Sequence, residues 1–324
     1  MKISAVVVTY NKKELLQRCL DALLGQTQKL DKIIVVDNGS IDGTDKLCHE
    51  RYLGNPVIEY IKMQENTGSG GGFYEGIRKA YEQGFDWIWA IDDDSIFRVD
   101  ALEKIISSEP FKKGSFGVFA SMVLDKDGNL PDRTGPSKVF EPFGLKIQAS
   151  EEDYKKPYFE VQRIGFCAGF FMGREVLKKA GFPLREFFMG GGDTEYAKRL
   201  SDASGICLIS ASKTHHLDNV SIEERSVFGK KVRKTSLKRL WFAYYSTRNS
   251  VFLCRKYLNF YSCIRYIFIH VIMGWLFVII FAEDQKLLRI KLLIKAVYDG
   301  VKGNLGKTID PKKFTEEIIK KCEK

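Results

Sequence analysis

The chain predicts an α/β fold with parallel strands, and three observations carry that prediction. Apolar, β-branched runs alternate with helix-periodic segments through the first third of the chain. Three of those runs end in polar residues, and one of them, Trp87-Ile-Trp-Ala-Ile, opens directly into Asp92-Asp93-Asp94. In order, Ile3 to Thr9 reads as a buried strand. Lys13 to Leu24 carries Leu15, Leu16, Cys19, Leu20 and Leu23 at helical spacing, and Lys32 to Asp37 is the next strand, which completes a βαβ unit. Glu59 to Met63 predicts a third strand. Gly72 to Gln83 predicts a helix after a glycine-rich turn, and Asp86 to Ile91 a fourth strand. Parallel sheets of this kind collect ligands at the carboxyl ends of their strands. Thr9-Tyr10-Asn11, Asp37 to Ser40 and the three acids all fall there.

Three adjacent carboxylates at the end of a buried strand are costly without a counter-charge. They suit a divalent cation such as Mg²⁺ or Mn²⁺ and hence a phosphate-bearing ligand. On alternating extended geometry Asp92 and Asp94 converge on one ion and Asp93 points away; the plainer alternative is an N-cap and turn. The run Asn66-Thr-Gly68-Ser-Gly70-Gly71-Gly72 permits close backbone approach to a phosphate at a helix start, or is a flexible turn. It matches neither a dinucleotide fingerprint nor a P-loop.

At 324 residues, 44% hydrophobic and 28% charged, the composition is ordinary for a globular chain. The 51 Lys and Arg against 41 Asp and Glu leave +10, which favours an anionic partner: nucleic acid, a sugar nucleotide or an anionic membrane surface. Seven scattered cysteines, none in a C-x-x-C spacing, indicate neither a disulfide frame nor a zinc knuckle, and fit a reducing cytosol. The first residues enter a strand with no leader, so a cytoplasmic location is expected.

Val6 to Asn11, Val35 to Thr44, Asn66 to Gly71 and Asp92-Asp93-Asp94 occur in the order and spacing of the family-2 glycosyltransferases, which the chain resembles over about residues 1 to 250. The glycine turn with the triple Asp is similar to the branch that holds bacterial rhamnosyl- and galactofuranosyltransferases. The resemblance implies a single GT-A-like nucleotide-sugar-binding domain over 1–225, with a mixed, mainly parallel sheet. Its nucleotide-sugar half covers about 1–125 and its acceptor half about 126–225; a basic, helical, membrane-associating region follows over 226–324. It also implies a UDP- or dTDP-linked donor met by Thr9, Tyr10, Asn11, Asp37, Asn66, Gly68, Gly70, Gly71, Asp92 and Asp93, and Mn²⁺ or Mg²⁺ on Asp92, Asp94 and His216. The acceptor it implies is a glycan or lipid-linked glycan. A nucleic-acid partner is not expected.

In the second half, the resemblance puts a catalytic base in Phe187-Phe-Met-Gly-Gly-Gly-Asp193-Thr-Glu195. Gly192 replaces the first acid of the family's usual pair and leaves Asp193 as the candidate; taken alone, the residues also read as an N-cap with Glu195 in the first turn. His215 and His216 follow an expected strand, Ile206 to Ser210, and face opposite ways if extended. His216 is preferred as the metal ligand over His215, with a structural pair as the alternative. Tyr244-Tyr245-Ser-Thr-Arg248-Asn249 is read first as packing and second as a diphosphate or headgroup contact.

Lys230 to Arg239 holds six positive charges and no acid, ordinarily a solvated helix face. The apolar stretch Ile267 to Ala282 has 16 residues, about 24 Å as a helix, short of a roughly 30 Å membrane core. Its basic flanks favour an interfacial helix pair at the inner face of the cell membrane, against a core helix or a homo-oligomer contact. The expected activity is an inverting, metal-dependent sugar transfer. Its rivals are a sugar-1-phosphate nucleotidyltransferase, which lacks its Lys/Arg-bearing glycine loop here, and a degenerate binding protein.

Overall fold

The computed structural model describes residues 1–52, 54–130, 136–138, 148–217, 223–227, 230–234, 236–282 and 284–322. Two compact units result. The first is Met1–Glu141, Leu145–Arg185 and Asp193–Asp218; the second is Pro142–Gly144, Glu186–Gly192 and Asn219–Lys324. A linear division at residue 225 does not anticipate that Glu186–Gly192 goes with the C-terminal stretch.

In the first unit the strands are β1 (Ile3–Thr9), β2 (Lys32–Asp37), β3 (Ile58–Lys62), β4 (Trp87–Asp92), β5 (Ser95–Phe97), β6 (Val118–Leu124), β7 (Tyr158–Val161), β8 (Phe170–Gly173) and β9 (Ile206–His216). They form one sheet in the order β3-β2-β1-β4-β8-β6-β9-β5, with β7 also beside β9. The sheet is mixed. Its first four strands are parallel, but beyond β4 only the β6–β9 pair is, and β8, β7 and β5 run antiparallel to their partners. The mainly parallel expectation therefore holds for the N-terminal half, where crossover helices return the chain.

Helices α1 (Lys13–Leu24), α2 (Thr44–Arg51), α3 (Gly68–Glu82), α4 (Ala101–Ile106), α5 (Glu109–Lys112), α6 (Glu151–Lys155), α7 (Arg174–Ala180) and α8 (Gly192–Ser204), the last from Asp193 onward, complete the unit. Alternate residues of β1, β2 and β4 enter different cores. Val6, Val8, Ile34, Val36, Ile88 and Ala90 share a cluster with Phe73, Ile77 and Ala80 of α3. Ala5, Val7, Ile33, Val35, Trp89 and Ile91 share one with Leu16, Cys19, Leu20 and Leu23 of α1. Burial on both sides explains the unbroken apolar runs.

The second unit holds the antiparallel pair β10 (Glu223–Val227) and β11 (Lys230–Lys234), then α9 (Leu240–Tyr257), α10 (Phe260–Ile267), a π-type turn at Phe268–Ile272, α11 (Met273–Phe281), α12 (Lys286–Lys302) and α13 (Pro311–Cys322). Half of the basic run is thus strand rather than helix face. Within the apolar stretch residues 268–272 are π-helical between two α-helical parts, and among the described residues no helix is long and apolar enough to cross a membrane.

Arg248 is wholly buried over the Tyr245 ring, at 4.7 Å, and its Nη1 donates to Gly306 O (2.7 Å) and Thr308 Oγ1 (3.0 Å). Asn249 Nδ2 donates to Met189 O (2.9 Å) and Gly190 O (2.6 Å), and Tyr244 donates to Asp299. The Tyr244 to Asn249 motif is therefore a packing element, in line with its first reading.

α3 starts at Gly68, four residues before the sequence-based expectation, because its glycines lie in the helix. A Cβ on Gly72 would stand 2.5 Å from Val8 Cγ1, and Gly76 meets Val6 in the same way. These two glycines bring α3 down onto β1. Gly72→Ala should gain up to about 1 kcal/mol of helix propensity yet lose more to overlap. Urea unfolding should show a net destabilisation of about 1–3 kcal/mol; a stabilised variant would contradict the packing account.

Candidate active site

The parallel register sets Thr9 beside Asp37 and Val8 beside Asp92, so three strand ends and their loops share one edge. Short polar links tie these loops together. Asn11, held at φ +52°, donates its N–H to Ser40 Oγ (2.9 Å) and accepts from the Ile41 N–H (2.8 Å) through its side chain. Asp37 is fully buried, accepting from Ser40 N–H (2.8 Å) and Tyr60 Oη (2.5 Å). Burial, and then the bond to Asp37, pushes the Tyr60 phenol far up, so it stays a donor.

Asn38 organises the glycine turn. Its Nδ2 donates to Gly68 O (2.8 Å) and Asn66 Oδ1 (3.2 Å), while its Oδ1 accepts from Thr67 N–H and Oγ1, both at 3.0 Å. Asn66 in turn accepts from the Gly68 N–H (2.8 Å), and Gly68 takes φ +78°. Gly70 and Gly71 are buried in the first turn of α3. Thr9 is buried, and Tyr10 stands 43% exposed at the rim.

The acids occupy the end of β4 and the turn into β5. Asp94, 4% exposed, has Oδ2 2.7 Å from Lys12 Nζ and Oδ1 3.3 Å from His216 Nε2. The antiparallel pairing of Ser95 with His216 delivers the imidazole there. His215 faces elsewhere, its Nδ1 3.2 Å from Asp125 O. Asp93 does not point away, because the chain turns after Asp92 and strand alternation stops; its Oδ1 lies 3.7 Å from the same Lys12 Nζ. Burial raises Asp93 to about 7 against the pull of Lys12. Burial likewise raises Asp92 well above the usual carboxylate range, with Asp94 and Asp93 adding to it. Burial acts on Asp94 too, but His216 and Lys12 outweigh it and bring that carboxyl down to about 2.

Among the described residues no group of three His, Cys, Asp or Glu side chains stands ready to enclose an ion. Asp94 and His216 come together; both act electrostatically on Asp92, Asp94 raising its pKa and His216 opposing. The pair itself suits a divalent ion. Asp94 Oδ1 and His216 Nε2 face each other at 3.3 Å, and adjacent ligands of an octahedral ion with bonds of about 2.1 Å lie about 3.0 Å apart, near that separation.

Asp193, at the start of α8, accepts from the Thr194 N–H (2.8 Å) and raises the proton affinity of Asp92 through its charge. Glu195 is not available as a second acid. It is fully buried and paired with Arg199 at 2.8 Å. Arg163 feels the Asp193 charge: burial lowers its pKa and Asp193 opposes that. No motif marks Arg163 in the sequence. Lys12 was visible only as the residue following a motif.

With this geometry in place, the profile of Glycosyl transferase family 2 matches residues 4–179, more than half of the 324. The chain belongs to glycosyl transferase family 2. It is 43% identical over 93 residues to the galactofuranosyltransferase GlfT1 of Mycolicibacterium smegmatis, covering 28% of this chain and 30% of that protein. It is 26% identical over 209 residues to the glycosyltransferase AglE of Haloferax volcanii, covering 62% of each. The matched stretch thus spans under a third of the galactofuranosyltransferase and under two thirds of AglE. Two solved structures share the fold at 14% identity. They are GalNAc-T7 with UDP, GalNAc and Mn²⁺ (TM-score 0.61, 91% of this chain, 55% of that one) and Staphylococcus aureus TarS 1–349 with UDP-GlcNAc (TM-score 0.57, 92% and 82%).

In this family member the Asp37–Tyr60 bond props the second strand's loop. Tyr60→Phe leaves a buried carboxylate oxygen short of a donor. A stability loss of about 1–3 kcal/mol in denaturant titration is expected; no loss would mean that the bond does not support the site.

Proposed function

We propose that this chain is an inverting, metal-dependent glycosyltransferase that moves a sugar from a UDP-linked donor to a glycan acceptor. The carrying observation is the gathering of Asp92, Asp93, Asp94, Lys12 and His216 at the edge where β1, β2 and β4 end. Family membership leaves the nucleotidyltransferase rival without support. Similarity to galactofuranosyltransferases favours galactofuranose over rhamnose as the donor sugar.

Thr9, Tyr10 and Asn11 flank the base with Asp37, whose oxygens each keep a lone pair beyond the bonds already made. The glycine turn at Asn66, Gly68, Gly70 and Gly71 borders the diphosphate-sugar, with Asp92 and Asp93 toward ribose or sugar. Mn²⁺ or Mg²⁺ held by Asp94 and His216, with Asp92 nearby, would supply Lewis-acid stabilisation of the leaving diphosphate. Asp193 accepts the proton of the attacking acceptor hydroxyl. The acceptor hydroxyl oxygen bonds to the anomeric carbon as the bond from that carbon to the nucleoside diphosphate breaks, and the nucleoside diphosphate leaves with the electron pair. One displacement inverts the centre through an oxocarbenium-like state.

The second unit is proposed to hold the protein peripherally on an anionic membrane beside a lipid-linked acceptor. Phe260, Tyr261 (83% exposed), Ile264, Phe268, Ile269 and Met273 stand exposed on α10 and the segment after it, which favours an interfacial face over a core helix. Of the flanking cations, Arg289 and Lys295 are held by Asp284 and Asp299.

Asp193→Asn keeps the side chain's shape and removes the proton acceptor. Turnover should fall by about two to four orders of magnitude while donor affinity, measured separately, stays within a few-fold. Near-normal turnover, or donor affinity lost in step with rate, would refute the assignment.

For the membrane, deleting the C-terminus is a poor test, because Arg248 and Asn249 show that the unit is internally bonded. Instead, Phe260→Ser, Tyr261→Ser and Phe268→Ser together should release the protein from anionic vesicles in a flotation assay. Wild type should resist high salt in part and yield to detergent. Wild type that never floats with vesicles at low salt would exclude membrane docking.

A further inference from the structure

Asp94 is a buried carboxylate that needs a cation beside it whether or not a metal is present, since an uncompensated charge at 4% exposure is costly. The structure supplies one from the chain itself. Lys12 Nζ lies 2.7 Å from Asp94 Oδ2 and 3.7 Å from Asp93 Oδ1. Asp94 is fixed by the β4–β5 turn, but Lys12 sits on the short loop between β1 and α1, with its side chain 31% exposed. Its flexible four-carbon stem can carry the ammonium outward at little cost. A divalent ion and an ammonium against one carboxylate repel each other, and poor hydration strengthens the repulsion.

Resting on the proposed reading of Asp94 and His216 as a metal pair, we propose that Lys12 is the exchangeable counter-ion of Asp94. It neutralises the carboxylate in the metal-free protein, yields it when Mn²⁺ or Mg²⁺ binds, and brings the released ammonium to the donor's diphosphate oxygens. No covalent bond changes. Metal alone costs Lys12 its ion pair with Asp94 and leaves it the longer one with Asp93, whereas metal with a diphosphate gives the ammonium a further anionic partner. Metal and nucleotide therefore bind cooperatively, and by linkage each strengthens the other by the same factor.

The test is Mn²⁺ binding to the intact chain, read from the electron paramagnetic resonance signal of free Mn²⁺, with and without UDP. Lys12→Met should bind Mn²⁺ about ten-fold more tightly than wild type in the absence of UDP. UDP should tighten Mn²⁺ binding more in wild type than in the variant. Lys12→Gln, polar but neutral, should behave as Lys12→Met, and Lys12→Arg as wild type; thermal melting checks that each is folded. If wild type binds Mn²⁺ and Asp94→Asn abolishes it, yet both neutral variants bind no more tightly, the Lys12 inference is overturned while the metal reading stands. Wild type that binds no Mn²⁺ with or without UDP overturns both.

Discussion

Charge compensation at the end of β4 is the constraint on which the rest of this structure depends. Three consecutive carboxylates lie at the edge of a sheet buried on both sides, and the fold keeps them there only by bringing cationic or proton-bearing groups to them from two directions. Lys12 comes from the loop after β1. His216 comes from β9, more than a hundred residues later, through the pairing of β5 with the last turn-proximal residues of that strand. The parallel register of β1, β2 and β4 determines where the acids stand, and the antiparallel return of β9 determines what faces them. A metal with a nucleotide diphosphate suits the same electrostatic demand.

The loops around this edge are held by polar cross-links rather than by apolar packing, which suits a surface that must meet a hydrophilic ligand. Asn11 reaches the second loop, Asp37 joins Ser40 to Tyr60, and Asn38 pins the turn that starts α3. Several residues expected to contact the donor thus also shape the site. Asp37 and Asn66 have their hydrogen bonds largely inside the protein, so substituting them would disturb geometry as well as contact.

Much of the N-terminal half was legible in the sequence. β1, α1 and β2 begin and end at the expected residues, because strands covered on both sides read as apolar runs and α1 has a regular apolar stripe. α2 was missed: only Thr44 and Cys48 of its eight residues are buried, so it carries no stripe. α3 begins earlier than expected because glycine signals a turn, whereas here it allows close helix–sheet contact. β9 runs to His216 rather than Ser210, its polar end stabilised by pairing with β5, a partner that no local pattern reveals. In the site, the opposite facing of His215 and His216 followed from strand alternation. Asp93 did not follow, since alternation fails at a turn. Lys12 belongs to the site through tertiary contact alone, and no local pattern marks Arg163, which the Asp193 charge influences. Asp218 and Asn219, shortly after the two histidines in the sequence, lie outside the described residues.

The account stands most directly on whether the acid edge binds a nucleotide diphosphate through a divalent ion. Calorimetric titration of UDP into the protein, first with Mn²⁺ and then with Mn²⁺ removed by EDTA, decides this when repeated on Asp94→Asn. Saturable binding that needs Mn²⁺ and is weakened at least ten-fold by Asp94→Asn is the predicted result. Equal UDP binding in all three conditions, or none in any, would contradict it.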